Sequence, residues 1–165
     1  EWCIKDQAGF MAQLVKDCVR FMAYCDKRGI KPAIRLNGTT DVRWELIKHD
    51  GLNIFEIFPE IMFYDYTKIA NRPLDMPNYK LTFSYSEASA AYEKQCKIAL
   101  NRGMNIAVVF RDKESIPESF LGLPTIDGDK TDLRFLDPSQ SIVALYAKGK
   151  ARKDQSGFVV DMVAA

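Results

Sequence analysis

The chain has 165 residues, of which 47% are hydrophobic and 27% are charged, and its net charge is +1. This composition predicts a single α/β domain over residues 1–165 with a core of its own. The net charge excludes a protein whose surface is basic throughout. No apolar run reaches the roughly 18 residues that a membrane span needs.

The cysteines and the first residue give two further expectations. Cys3, Cys18, Cys25 and Cys96 form no Cys-x-x-Cys pair, which predicts reduced thiols in a cytoplasmic protein rather than disulfides or a metal centre. The chain begins with Glu1 instead of Met, which suggests the C-terminal part of a longer protein.

The first predicted element is a helix over residues 9–28, where apolar side chains recur at three- and four-residue spacings. Gly29 suits the position just after that helix. A strand follows at 33–36, and Asp41 is expected to cap a short helix over 42–48.

The middle of the chain alternates strands with loops and helices. The predicted elements are a strand at 61–64, a loop at 71–78, a strand at 79–83, a helix at about 87–101 and a strand at 104–110. Ser84 in a capping box with Glu87, or alternatively Ser86, is the expected cap of that helix.

The pattern changes after Arg111. Asp127-Gly128 is a turn dipeptide, and further strands are predicted at 133–136, 142–147 and 157–160. Strand–helix alternation at intervals of about 20 to 30 residues indicates a mostly parallel sheet. A complete (β/α) barrel needs roughly 200 residues or more, so this chain is too short to form one. We therefore predict a partial (β/α) barrel or an open, mostly parallel sheet of about five to seven strands, with an antiparallel C-terminal hairpin.

Four of the predicted strands end in polar turns. In a parallel sheet such turns open at one edge, where ligands bind. The predicted catalytic groups, as acid–base or metal groups, are Asp41, Asp65 and Glu87. The predicted substrate-binding residues are Arg35, Asn37, Tyr66, Lys68, Ser84 and Ser86.

Arg35 and Lys68 are the predicted anion ligands within this set. Arg35 lies in an apolar run, where a charge needs a partner, so a structural ion pair with Asp65 is expected equally with an anion clamp. Several other members have a structural alternative, because Asp and Ser cap helices and Asn-Gly turns the chain. His49, the only histidine, is not expected to be catalytic.

A second candidate site is acidic. Asp127, Asp129 and Asp132 lie within six residues, a spacing that suits a divalent cation, and Lys148 would complete a nuclease-like cluster. No Glu follows at the calcium-loop distance, and a solvated hairpin turn explains the same residues. The basic run at 148–153 is either solvated surface or a contact to the phosphates of a nucleic acid.

Several motifs resemble a phage-encoded family, that of mycobacteriophage gene product 88. They are RLNGTTDVRWE (35–45), FYDYTK (63–68), NYKLTFSYSE (78–87), NIAVVF (105–110), the segments at 127–129 and 132–135, and Lys148-Gly149. The resemblance covers about residues 6–160 and implies a phage or prophage protein of the host cytoplasm, but no reaction. Family members carry an upstream Cys-rich segment that looks like the iron–sulfur motif of radical enzymes, and this chain has no such ligand set.

Three functions remain open at this point. The first is an enzyme-like domain that binds a small anionic substrate, a nucleotide or another phosphate-bearing molecule, at the carboxyl rim of the sheet. The second is a non-catalytic phage effector that binds host protein or nucleic acid. The third is a truncated iron–sulfur-dependent radical enzyme. The cofactor is left open, with a divalent metal as the candidate.

Overall fold

Eight short strands form an open sheet in the computed structural model, which describes residues 2–162. In order across the sheet they are β1 (Ala33–Ile34), β2 (Met62–Thr67), β3 (Tyr79–Ser84), β4 (Asn105–Phe110), β7 (Ile142–Tyr146), β6 (Leu123–Asp127) and β5 (Ser119–Phe120), and β8 (Val159–Val160) also pairs with β4. The pairs β1–β2, β3–β4, β4–β7, β4–β8 and β6–β7 are parallel, and β5–β6 is antiparallel.

The predicted open, mostly parallel α/β sheet is therefore confirmed. The predicted antiparallel hairpin is β5–β6, at residues 119–127, and the sheet has one strand more than the five to seven expected. The helices are α1 (Trp2–Lys5), α2 (Gln7–Arg28), α3 (Ile54–Ile57) and α4 (Ala90–Asn101). No helix within residues 2–162 is long and apolar enough to cross a membrane.

Contacts group the described residues into two compact units, one of residues 2–64 and 73–80, the other of residues 65–72 and 81–162. In the first unit, α2 buries a stripe of Met11, Cys18 and Cys25, one residue every two turns. Whether the chain is a single domain stays a prediction.

An aromatic cluster forms another part of the first unit's core. The Phe55 ring stacks on Tyr79 with centroids 4.0 Å apart and meets Phe63 edge-on at 5.1 Å. Asn53 caps α3 and forms a capping box with Glu56, a signal in the sequence that our predictions did not use.

Side chains of two neighbouring parallel strands, β4 and β7, form part of the core of the second unit. Ile106, Val108 and Phe110 of β4 are fully buried, as are Ile142 and Val143 of β7. Such continuous apolar runs are typical of parallel strands that are covered on both faces.

Strand β4 is shared along its length by β3 and β8. β3 pairs with residues 105–107, and β8 pairs with Val109 and Phe110. The chain before β8 is held by the Glu87 N–H, which donates to the Gly157 carbonyl at 2.6 Å. Gly157 has a φ of +85°, and a Cβ there would come within 2.8 Å of the Ala88 nitrogen, so this approach requires glycine.

Three local predictions are wrong. The predicted strand at 133–136 is a 3-10 helix, Arg134–Leu136, because the buried Arg134 side chain bonds the carbonyls of Gly128 and Thr131 and curls the chain. The helix predicted over 42–48 is only the 3-10 turn Trp44–Leu46, with no side-chain cap.

The third wrong prediction is the start of the helix after β3. Its N-cap is Ser89, whose Oγ accepts from the Tyr92 N–H, and neither Ser84 nor Ser86 caps it. The Ser86 hydroxyl is engaged elsewhere, since it donates to the Gly157 carbonyl at 3.3 Å.

Candidate functional site

The turn after β1 holds the predicted site residues of the first unit. Asn37 is buried, and its Oδ1 accepts hydrogen bonds from Val42 N–H and Trp44 Nε1, both at 3.0 Å. The Asn37 Nδ2 donates to the Val42 carbonyl, and Thr40 Oγ1 donates to Asn37 Oδ1 at 2.9 Å. Asn37 thus closes the turn, and its predicted role in orienting a substrate stays a prediction.

Arg35 and Asp41 lie on either side of Asn37 in the chain. Arg35 is exposed because β1 ends at Ile34, so the expectation of a charge enclosed in an apolar run is wrong. Asp41 is half-buried. The roles of Arg35 as an anion ligand and of Asp41 as an acid–base group stay predictions.

Lys68 follows β2 in the second unit, and the structure brings it to Ser84. Its Nζ donates to the Ser84 carbonyl at 3.2 Å and lies 4.9 Å from the centroid of the Tyr92 ring and 5.3 Å from that of Phe158. An ammonium over two aromatic faces is stabilised by their quadrupoles. These contacts give Lys68 a structural role beside its predicted one.

The turn after β3 brings Ser86 and Glu87 to a concavity of about 440 Å³ on the side of α4. The Tyr85 hydroxyl donates to Glu87 Oε1 at 2.9 Å. Burial raises the pKa of Tyr85, and the hydrogen bond to Glu87 raises it further. We call this concavity the α4 pocket; its walls include Ser86, Glu87, Glu93, Cys96, Leu100 and Leu121.

Two more predicted residues lie on β2. Asp65 is fully buried, and the Tyr66 hydroxyl is 3.5 Å from Asp132 Oδ1, the outer limit of a hydrogen bond. Tyr66 and Asp132 therefore approach one another although they are 66 positions apart. The gathering of Arg35, Asp41, Asp65, Lys68 and Glu87 around one concavity stays a prediction.

The three acids of the predicted metal site have other partners. Asp127 Oδ1 accepts from the Asp129 N–H at 3.0 Å, and Asp129 Oδ1 accepts from Lys148 Nζ at 2.6 Å. The hydrogen bond to Asp129 raises the pKa of Lys148. Among residues 2–162, no group of three His, Cys, Asp or Glu side chains is arranged to hold a metal ion, so the predicted metal site gains no support.

A second concavity, of about 390 Å³, opens where β4 and β7 end. These strands are parallel, with Phe110 opposite Tyr146, so the residues that follow them lie at one edge. We call this concavity the basic cleft; it is lined by Arg111, Asp112, Lys113, Glu114, Tyr146 and Arg152.

Arg111 organises the wall of the basic cleft. Its Nε and Nη2 contact the two carboxylate oxygens of Asp161 at 2.7 and 2.8 Å. Its Nη1 donates to the Arg152 carbonyl at 2.9 Å and its Nη2 to the Asp154 carbonyl at 2.8 Å. One guanidinium therefore holds both the basic 3-10 helix Gly149–Lys153 and the residue after β8.

Lys113 and Tyr146 were not among the predicted site residues, and Arg152 was predicted only as part of the basic run at 148–153. Their signals are in the sequence: Lys113 comes shortly after one predicted strand, Tyr146 lies near the end of another, and Arg152 belongs to the basic run. What was missing is the pairing of β4 with β7, two strands that are 32 residues or more apart in the chain.

A family model described as Gene product 88 matches residues 2–162. The chain belongs to the gene product 88 family. The resemblance seen in the motifs is thereby confirmed for a phage gene product family. Neither the curated proteins nor the solved structures contain a match to this gene product 88 protein.

Proposed function

We propose that this gene product 88 protein binds a small phosphate-bearing anion in the basic cleft. The observation that carries the proposal is the convergence of Arg111, Lys113 and Arg152 at the carboxyl ends of two parallel strands. Ligands of open α/β sheets bind at that edge, outside the ends of the strands.

The arrangement of the cations gives more specific support for an anionic ligand. The Arg111 charge is matched by Asp161, so its main role here is to hold the backbone at Arg152. Lys113 and Arg152 are exposed and are the proposed ligands. A guanidinium binds phosphate oxygens in a bidentate manner, and an ammonium adds a point charge.

The acids of the cleft limit the size of the anion. Asp112 and Glu114 flank Lys113 and repel a large, highly charged surface. Among the described residues, the acids lining this cleft do not include the predicted acid–base groups Asp41, Asp65 and Glu87. We therefore propose binding and assign no reaction.

A nucleic acid is the second candidate ligand, and one observation favours it. The 3-10 helix Gly149–Lys153 and the residue before it expose four cations: Lys148, Lys150, Arg152 and Lys153. Such a row of cations can neutralise several consecutive phosphates of a nucleic acid, whereas a small anion bound in a single cleft needs only one or two cations.

Calorimetric titration with inorganic pyrophosphate, a nucleoside triphosphate and single-stranded oligonucleotides of increasing length tests the proposal. We expect pyrophosphate or the triphosphate to bind, and both Lys113→Gln and Arg152→Gln to weaken binding about tenfold, which corresponds to about 1.4 kcal/mol. Lys94→Gln, an exposed lysine on α4, is the matched control and should change nothing.

Two outcomes would contradict the small-anion proposal. The first is no binding by the wild-type protein at millimolar ligand. The second is affinity that rises steadily with oligonucleotide length and falls equally for Lys150→Gln, Lys153→Gln and Arg152→Gln, which would support the nucleic-acid alternative instead.

A further inference from the structure

The α4 pocket has the opposite character to the basic cleft. Its walls are mostly apolar, from Ala90, Cys96 and Leu100 along α4 and from Leu121 at the tip of the β5–β6 hairpin. At about 440 Å³ it falls in the range of small-molecule sites, which are mainly apolar with a few polar groups.

Leu121 is held there in an unfavourable conformation. The hairpin joins Phe120 to Leu123 by a two-residue turn, in which Leu121 has a φ of +51° and Gly122 a φ of +78°. Such turns favour Asn or Asp before Gly, because a bulky side chain is strained at positive φ. Leu121 is also 41% exposed, so its burial offsets only part of the cost of this conformation.

The hairpin tip is held firmly over the pocket. The Phe120 ring meets Tyr85 edge-on at 5.6 Å and Phe110 edge-on at 5.4 Å. The Thr125 N–H also donates to the Glu118 carbonyl at 3.0 Å. A strained residue that its surroundings hold in place is typical of ligand-binding sites.

The charges of the pocket indicate the sign of its ligand. Two acids line the pocket, Glu87 and Glu93. Glu93 is paired with Lys97 at 2.7 Å, so Glu87 is the acid that we consider as a ligand contact. Glu87 accepts a hydrogen bond from the neutral Tyr85 hydroxyl, and a carboxylate has further acceptor positions for another donor. With two acids and one base, the lining has a formal charge of −1.

We propose that the α4 pocket binds a small molecule with an apolar ring and a protonated amine. The ring packs between Leu121 and Leu100, and the amine donates to the carboxylate of Glu87. This site is separate from the basic cleft, and it does not depend on the function proposed there.

Three probes of one size test the charge of the ligand: phenethylamine, 2-phenylethanol and phenylacetate. Titration followed by protein NMR should show the amine binding at millimolar concentration, the alcohol more weakly and the carboxylate least. Glu87→Gln should reduce affinity for the amine about tenfold and remove its advantage over the alcohol. Glu118→Gln, which changes an exposed acid before β5, is the control.

Leu121→Asn separates a ligand contact from a structural role. Asparagine suits the positive φ of the turn, so the variant should melt at a higher temperature than wild type while it binds phenethylamine less tightly. A lower melting temperature, equal binding of the amine and the carboxylate, or no binding of any probe would overturn the proposal.

Discussion

The guanidinium of Arg111 and the carboxylate of Asp161 form a two-point contact across 50 positions of the chain, at 2.7 and 2.8 Å. Arg111 is the first residue after β4, and Asp161 is the first after β8. The Arg111 N–H also donates to the Val160 carbonyl at 3.0 Å, so side chain and backbone hold the same segment. The Arg111 side chain lowers the pKa of Asp161 by hydrogen bonding.

Asp161→Asn should loosen β8 and leave the rest of the second unit intact. The amide keeps one acceptor oxygen but loses the charge that makes the bidentate contact strong. Hydrogen exchange followed by mass spectrometry should show faster exchange at residues 157–161. Asp17→Asn is the control, since Asp17 forms an exposed ion pair with Arg20 on α2. Unchanged exchange in β8 would mean that backbone bonds alone hold this strand.

Asn37→Ala should destabilise the protein by about 2–4 kcal/mol, because it leaves the buried Trp44 Nε1 donor and the Val42 backbone groups without their partner. Urea unfolding followed by tryptophan fluorescence measures this. Thr40→Val removes only one bond to Asn37 and should cost less than about 1 kcal/mol. Equal losses in the two variants would contradict the central role of Asn37.

Arg134→Met should destabilise the protein more than a double variant in which Asp137 is also replaced, by leucine. Arg134 is fully buried, and its Nη1 lies 3.4 Å from Asp137 Oδ2 in a charge contact of poor hydrogen-bond geometry. Removing Arg134 alone takes this cation away from the Asp137 side chain, which is 7% exposed, and should cost about 3–5 kcal/mol. Arg134→Met with Asp137→Leu should recover a large part of that loss, as measured by urea unfolding. A double variant no more stable than the single one would show that the carbonyl contacts of Arg134 dominate.

Lys68→Met distinguishes the two roles of this lysine. Methionine retains the apolar part of the side chain but loses the bond to Ser84 and the contacts with Tyr92 and Phe158, so we expect a loss of about 1–2 kcal/mol in stability. Pyrophosphate affinity should not change. The reverse result, unchanged stability with binding about tenfold weaker, would establish Lys68 as the anion ligand that the sequence predicts.

Stability should decrease above about pH 8.5, where thiols of the unfolded chain ionise. Burial, with a smaller contribution from Asp17, raises the pKa of Cys18 to about 11, and burial with Glu93 raises that of Cys96 to about 11. Between these values the unfolded chain loses protons that the native state retains, so the unfolding free energy falls as pH rises. Urea midpoints from pH 8 to 11 measure this effect.

The matched control for the pH effect is Cys18→Ala with Cys96→Ala. This double variant should show a flatter decrease, because the remaining effect comes from other groups such as Tyr85, whose pKa is also raised. Parallel curves for the two proteins would contradict the contribution of the thiols.

The sequence by itself determined the class of the fold and most of its parallel strands. A short apolar run such as residues 105–110, rich in β-branched and aromatic side chains, favours a buried strand over a helix. Helix α2 was equally clear, since its apolar spacing and Gly29 mark its face and its end. These signals are local, and they agree with the tertiary structure.

The tertiary structure decided which polar residues meet. The sequence favours Ser84 or Ser86 as the helix cap, whereas the structure engages Ser86 with the Gly157 carbonyl and caps α4 with Ser89. A hydroxyl or a guanidinium has several partners of nearly equal energy, and a difference of about 1 kcal/mol selects among them.

The basic cleft and the α4 pocket were also decided by the tertiary structure. Arg111 and Arg152 meet because β4 pairs with β7 and β8, and Leu121 reaches α4 because Phe120 packs on Tyr85 and Phe110. Apart from the contact of Phe110 with Phe120, each of these contacts joins segments 20 or more positions apart in the chain. Local periodicity contains no information about such pairings, because they depend on which apolar surfaces remain to be covered once the whole chain has folded.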